Sequence, residues 1–137
     1  MTNGAKKPSL LDSFALLAFL NKEKGFEKVR DMLQAANASG APLLMNEINV
    51  GEVYYIVAKN QSADKAEEFL RRLETLPIQL AANSFSDILE AARLKARFPI
   101  SYADAFAAAT AIKLNATLVT GDPEFQTLAH LVEIHWI

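Results

Sequence analysis

The hydrophobic pattern of the chain alternates between short apolar runs and longer stretches of helical period. Ser9-Leu10-Leu11 is a run of strand length that stops at Asp12, and the dense apolar residues from Ser13 to Leu20 read as a buried helix behind a Ser or Asp cap. After Gly25, the residues Phe26, Val29, Met32 and Leu33 recur at helical spacing as far as Ala38, with Gly40 as a stop signal. Ala41 to Met45 reads as a second buried strand, and Asn46 can cap a helix reaching about Lys59, in which Val53, Ile56 and Val57 share a face with Glu52 beside it. Ser62 opens an amphipathic helix that Pro77 ends, Ile78-Gln79-Leu80 is a third strand, and Ser84 or Ser86 opens a helix through Ala91, Leu94 and Phe98. A helix of small residues then carries Asp104 near its start, and Ala116 to Val119 is a short strand. A helical turn through Phe125 and Leu128 follows Asp122-Pro123, and Leu131 to Ile137 alternates as a last strand.

Strands alternating with helices predict an α/β domain in three layers, α/β/α, with a short, mainly parallel sheet flanked by helices. The 137 residues suit one compact domain over 1–137, without repeats or linkers. No apolar run reaches the roughly 18 residues that span a bilayer, and Asp12 and Ser13 interrupt the longest, Leu10 to Leu20. Lys6 and Lys7 precede that stretch, but it holds an acid and ends without a small-residue cleavage site, so no signal peptide is expected and the cytoplasm is the expected location.

Composition narrows the chemistry. The absence of cysteine excludes disulfides, thiolate metal sites and cysteine nucleophiles, and two histidines, His130 and His135, disfavour zinc. What remains is carboxylate chemistry. A formal charge of −2 is unpromising for a nucleic-acid binder, yet setting aside four carboxylates gathered in one cation-filled pocket leaves +2 on the rest of the chain.

In an open parallel sheet, ligands bind beyond the carboxyl ends of the strands. Asp12, the Asn46 to Glu52 segment and Asp122 each follow a predicted strand at that edge, and Asp104 opens a helix that can reach it. Each acid also has a structural reading. Asp12 can cap a helix, Asp104 can close a capping box with Ser101, and Asp122 in Thr-Gly-Asp-Pro suits a turn. Glu52 lies too deep in its helix to cap anything, while Glu47 suits the first-turn dipole. Together, four crowded carboxylates would raise one another's pKa unless a cation neutralised them, which points to a hard divalent ion, Mg²⁺ or Mn²⁺. Such an ion activates water and offsets charge on a phosphoryl group, chemistry suited to phosphodiester hydrolysis. Thr120 and Ser13 are candidate supporting hydroxyls, and Arg93 and Arg97, four apart on one helix, are candidate phosphate contacts.

Four segments carry a resemblance over nearly the whole chain. They are Leu-Leu-Asp12-Ser-Phe-Ala-Leu-Leu-Ala-Phe-Leu, Ile-Asn-Val-Gly-Glu52-Val-Tyr-Tyr, Ser-Tyr-Ala-Asp104-Ala-Phe-Ala-Ala-Ala-Thr-Ala and Leu-Val-Thr120-Gly-Asp122-Pro-Glu-Phe. In their order and spacing the chain resembles PIN domains, more narrowly the VapC-type ribonuclease toxins of toxin–antitoxin pairs. The resemblance implies that Asp12, Glu52, Asp104 and Asp122 bind metal and catalyse, with Thr120 in support. It further implies Mg²⁺- or Mn²⁺-dependent endoribonuclease activity on RNA, a cognate antitoxin partner and a homodimer. Asn49-Val50-Gly51 departs from the small or hydroxyl-bearing residues expected before Glu52 and leaves the choice between Glu52 and Glu47 open.

Other readings fit less of the chain. A receiver-like phospho-acceptor domain shares an alternating pattern and an acidic Mg²⁺ pocket, but no adjacent acid pair follows the first strand and no lysine ends a late one. A haloacid-dehalogenase-like phosphatase lacks its second aspartate after Asp12-Ser13-Phe14. A catalytically silent PIN-like interaction module is the remaining alternative.

Overall fold

In a computed structural model describing residues 7–137, the chain runs β1 (Ser9–Leu11), α1 (Ser13–Leu20), α2 (Phe26–Ser39), β2 (Leu43–Asn46), α3 (Glu47–Asn60), α4 (Ala63–Leu73) and β3 (Ile78–Ala81). It continues through α5 (Phe85–Arg97), α6 (Tyr102–Leu114), β4 (Thr117–Thr120), a 3-10 turn (Pro123–Leu128) and β5 (Ile134–Trp136). Lys6 lies outside the described residues; Lys7 pairs with Glu133 at 2.9 Å.

The five strands form one sheet in the order β3-β2-β1-β4-β5, and every pairing is parallel. Strand alternation sends neighbouring residues to opposite faces, and the core divides accordingly. Leu11, Met45 and Val119 face α1 to α4, where Leu16, Val29, Val53 and Phe69 are buried. Leu10 and Leu118 face α5, α6 and the 3-10 turn, where Leu94, Phe106, Phe125 and Leu128 are buried. The fold is thus the expected three-layer α/β/α arrangement. A receiver-type sheet has the order 2-1-3-4-5, so the topology removes that alternative.

Local chemistry sets the element ends. Asp12, Asn46, Ser62, Ser84 and Ser101 cap α1, α3, α4, α5 and α6, each side chain accepting a backbone N–H. Gly40 ends α2 at φ 75°, a left-handed conformation that costs glycine little. The last strand is shorter than its alternation suggested, Ile134–Trp136, because Leu131 and Val132 instead bond back to the carbonyl of Leu128.

α6 lies against β1, β2 and β4. Ala105, Ala107, Ala108 and Ala111 are all buried, and their short side chains let the helix axis approach the sheet. That approach brings the start of α6 to the carboxyl ends of β1 and β4.

Candidate functional site

β1 and β4 are adjacent, but the chain leaves β1 toward β2 on one side and reaches β4 on the other, so a crevice opens where the strand order reverses. Asp12 follows β1 at its mouth, and Thr120 ends β4 beside it. The Thr120 hydroxyl, fully buried, donates to Asp12 Oδ2 at 2.5 Å and accepts the backbone N–H of Asp122 at 3.0 Å. Asp12 Oδ1 accepts the N–H of Ala15 at 2.8 Å, so one carboxylate caps α1 and faces the crevice. Gly121 links Thr120 to Asp122 under the ring of Phe14; a Cβ there would sit 2.3 Å from Phe14 Cε1.

Asp104 enters from α6 and is 7 % exposed. The expected capping box with Ser101 is only half made. Ser101 Oγ accepts the Asp104 N–H at 3.1 Å, but the Asp104 carboxylate does not return to the Ser101 amide. At α5 the same Ser-x-x-Asp pattern closes fully between Ser84 and Asp87. The difference is what each acid meets. Asp87 lies beside Lys113, 2.8 Å away, whereas Asp104 turns into the crevice, where its carboxylate can meet those of Asp122 and Glu124 within 4.8 Å. Asp122 Oδ1 also accepts the Glu124 N–H at 2.9 Å, capping the 3-10 turn.

Glu52 reaches the pocket from α3, and its Oε1 accepts the Ser13 hydroxyl. Its charge raises the pKa of both Asp12 and Asp104, whereas Glu47 stands exposed in the first turn of α3. Burial pushes Asp12 up to about 7 against the pull of the Thr120 and Ala15 hydrogen bonds, with the Asp122 and Glu52 charges adding to the rise. Burial first, then the Asp122 charge, a hydrogen bond with Glu124 and the charges of Asp12 and Glu52 push Asp104 up to about 8.

No described ion pair brings a Lys or Arg to Asp12, Glu52, Asp104, Asp122 or Glu124. Each carboxylate oxygen accepting one hydrogen bond keeps a second lone pair. An oxygen-only donor set without a basic counter-charge suits a hard divalent cation.

A model of the PIN domain family matches residues 9–131. The chain belongs to the PIN domain family. No curated protein sequence matches it significantly. Among solved structures, this PIN domain is similar to a chain of the Rickettsia felis VapBC2 complex bound to a promoter DNA fragment, with a TM-score of 0.73 and 20% identity over 93% of this chain and 96% of that one. It is similar to the sarcin-ricin loop cleaving toxin VapC20 of Mycobacterium tuberculosis, with a TM-score of 0.72 and 16% identity over 93% and 98%. A toxin–antitoxin complex from Klebsiella pneumoniae gives a TM-score of 0.65 and 18% identity over 94% and 99%. At these identities the structures attest the fold.

Of the residues singled out from the sequence, this PIN domain brings together Asp12, Ser13, Glu52, Asp104, Thr120 and Asp122. It does not bring Arg93 and Arg97 to the acids by any described hydrogen bond or ion pair. Arg93 pairs with Glu90 at 2.6 Å, and the Arg97 guanidinium lies over Phe98 at 5.1 Å. Two residues escaped sequence reasoning. Glu124 was legible as the second residue past Asp122 in a capped turn, and Asn49, fully buried, stood out only as atypical ahead of Glu52. A separate groove of about 520 Å³ lies between α5 and α6, and none of these acids lines it.

Thr120→Val keeps the side-chain shape but leaves Asp12 and the Asp122 amide each short of a partner. It is expected to lower stability at neutral pH by about 1–2 kcal/mol in urea denaturation. Unchanged stability would show that the hydroxyl does not hold Asp12.

Proposed function

We propose that this PIN domain is a metal-dependent endoribonuclease and the toxin component of a toxin–antitoxin pair. The observation carrying this reading is the convergence of Asp12, Glu52, Asp104 and Asp122, with Glu124, at one crevice without an ion-paired basic side chain among the described residues. Asp12, Glu52, Asp104 and Asp122 hold Mg²⁺ or Mn²⁺. The bound cation supplies Lewis acidity that activates water and offsets charge on the phosphate under attack.

The chain's own groups prepare that event. Thr120 and the Ala15 amide orient Asp12, Ser13 orients Glu52, and the tight seat of α6 on the sheet holds Asp104 against Asp122. Similarity to a sarcin-ricin loop cleaving toxin supports an RNA substrate, and similarity to VapBC2 and to a Klebsiella toxin–antitoxin complex supports an antitoxin partner. The family resemblance adds a homodimer. No helix among the described residues is long and apolar enough to cross a membrane.

The test is cleavage of single-stranded RNA by the purified full chain with Mn²⁺, with Mg²⁺ and with excess EDTA. Cleavage is expected with either metal and none with EDTA. Equal cleavage in EDTA, with Asp12→Asn and Asp104→Asn both still active, would refute the reading.

A further inference from the structure

Asn49 lies on α3, one turn before Glu52, and is fully buried. Its side-chain amide spans three helices. Asn49 Nδ2 donates to the Ala103 carbonyl at the start of α6, 3.0 Å away, and to Ser13 Oγ at the start of α1, 3.3 Å away. Ser13 has one hydroxyl hydrogen and two acceptors within reach, Glu52 Oε1 and the Asn49 backbone carbonyl.

These bonds have a direction. An amide nitrogen only donates, so Ser13 Oγ accepts from Asn49 Nδ2, and its own hydrogen goes to Glu52 Oε1, a much closer acceptor than the Asn49 backbone carbonyl at 3.3 Å. The second amide hydrogen ties α3 to the residue preceding Asp104. The remaining atom, Asn49 Oδ1, is buried without a hydrogen-bond partner among the described residues. A buried orphan acceptor costs stability, which the two bonds made by the amide nitrogen offset only in part. The amide thus adds little to the fold for a fully buried polar group and is well placed for the pocket.

We propose that Asn49 is a positioning residue, whose two amide hydrogens hold Glu52, through Ser13, and Asp104, through the Ala103 carbonyl, in register around one divalent cation. Asn49 touches neither substrate nor metal; it acts on the carboxylates that do. Groups that orient metal-binding residues typically contribute about 10–100-fold in metal affinity or activity when removed. The inference rests on the acidic crevice being a metal site, as proposed above, and not on the identity of the RNA.

The experiment measures Mn²⁺ binding by calorimetry and thermal unfolding in EDTA for the wild type, Asn49→Leu, Ser13→Ala and the double variant, with RNA cleavage as a separate readout. Asn49→Leu is expected to stay folded in EDTA with only a small change in unfolding midpoint, yet to bind Mn²⁺ at least about 10-fold more weakly, by the same reasoning. Ser13→Ala, which severs only the Glu52 branch, is expected to show a smaller loss, and the double variant no more than Asn49→Leu alone. If Asn49→Leu fails to fold, Ser13→Ala must still weaken Mn²⁺ binding. Wild-type Mn²⁺ affinity in a folded Asn49→Leu overturns the proposal, as does unchanged affinity in Ser13→Ala. A wild type that binds Mn²⁺ but cleaves no RNA refutes the nuclease reading and leaves the Asn49 role to be judged on affinity. A wild type that binds no Mn²⁺ overturns both.

Discussion

Asp104→Asn is expected to abolish metal-dependent RNA cleavage and, in the same protein, to raise thermal stability in EDTA at pH 8. The two effects have one cause. Burial and four neighbouring acids push Asp104 up to about 8, so its ionised form is strained in the folded chain and relaxed in the unfolded one. Asparagine keeps the shape and removes the charge. The midpoint is expected to rise by roughly 2–4 °C at pH 8, with a much smaller change at pH 5, where the wild-type carboxyl is protonated when folded. Loss of one anionic ligand removes several kcal/mol of charge stabilisation, about 100-fold or more in rate. Calorimetric scans and a gel-based cleavage assay read the two arms. A variant that loses activity because it is less stable at both pH values would show that Asp104 has a structural role instead.

The second large effect is a dependence of stability on pH that reverses its meaning when metal is added. Asp12, pushed up to about 7, and Asp104, pushed up to about 8, bind protons more tightly folded than unfolded. Without metal, their stabilising contribution is full below the ordinary aspartate value of 3.8 and is lost as pH rises toward 7 and 8. The EDTA-treated protein is therefore expected to melt progressively lower from pH 5 to pH 8. A cation competes with those protons, so Mn²⁺ should bind more tightly, and stabilise more, at the upper end of that range. At 100 times its dissociation constant it would add about 2.7 kcal/mol, roughly 8 °C for a chain of this size. A midpoint insensitive to Mn²⁺ at pH 8 would remove the metal reading.

The capping motifs show how local information runs out. Ser84-x-x-Asp87 and Ser101-x-x-Asp104 are the same pattern, and both serines cap their helices. Only the surroundings differ. Asp87, with Lys113 beside it, is held near 2 and closes its box, whereas Asp104, packed among carboxylates, leaves its box open. Charge that arrives from β4 and α3 is invisible in a four-residue window.

Much was set by the sequence alone. The period of apolar residues, the Ser, Asp and Asn caps and the glycine stops specify which stretches are helix or strand, because those preferences are local. The motif order around Asp12, Glu52, Asp104 and Asp122 was enough to expect an acidic pocket at the strand ends. Tertiary structure decided the rest. It set the strand order that opens a crevice between β1 and β4, the presence of Glu52 rather than Glu47 among the charges acting on Asp12 and Asp104, the entry of Glu124, and the buried amide of Asn49 that ties three helices. Each depends on residues far apart in the chain meeting at a distance of a few ångströms. Hydrogen bonds and carboxylate repulsion act over that distance, and no local preference encodes it.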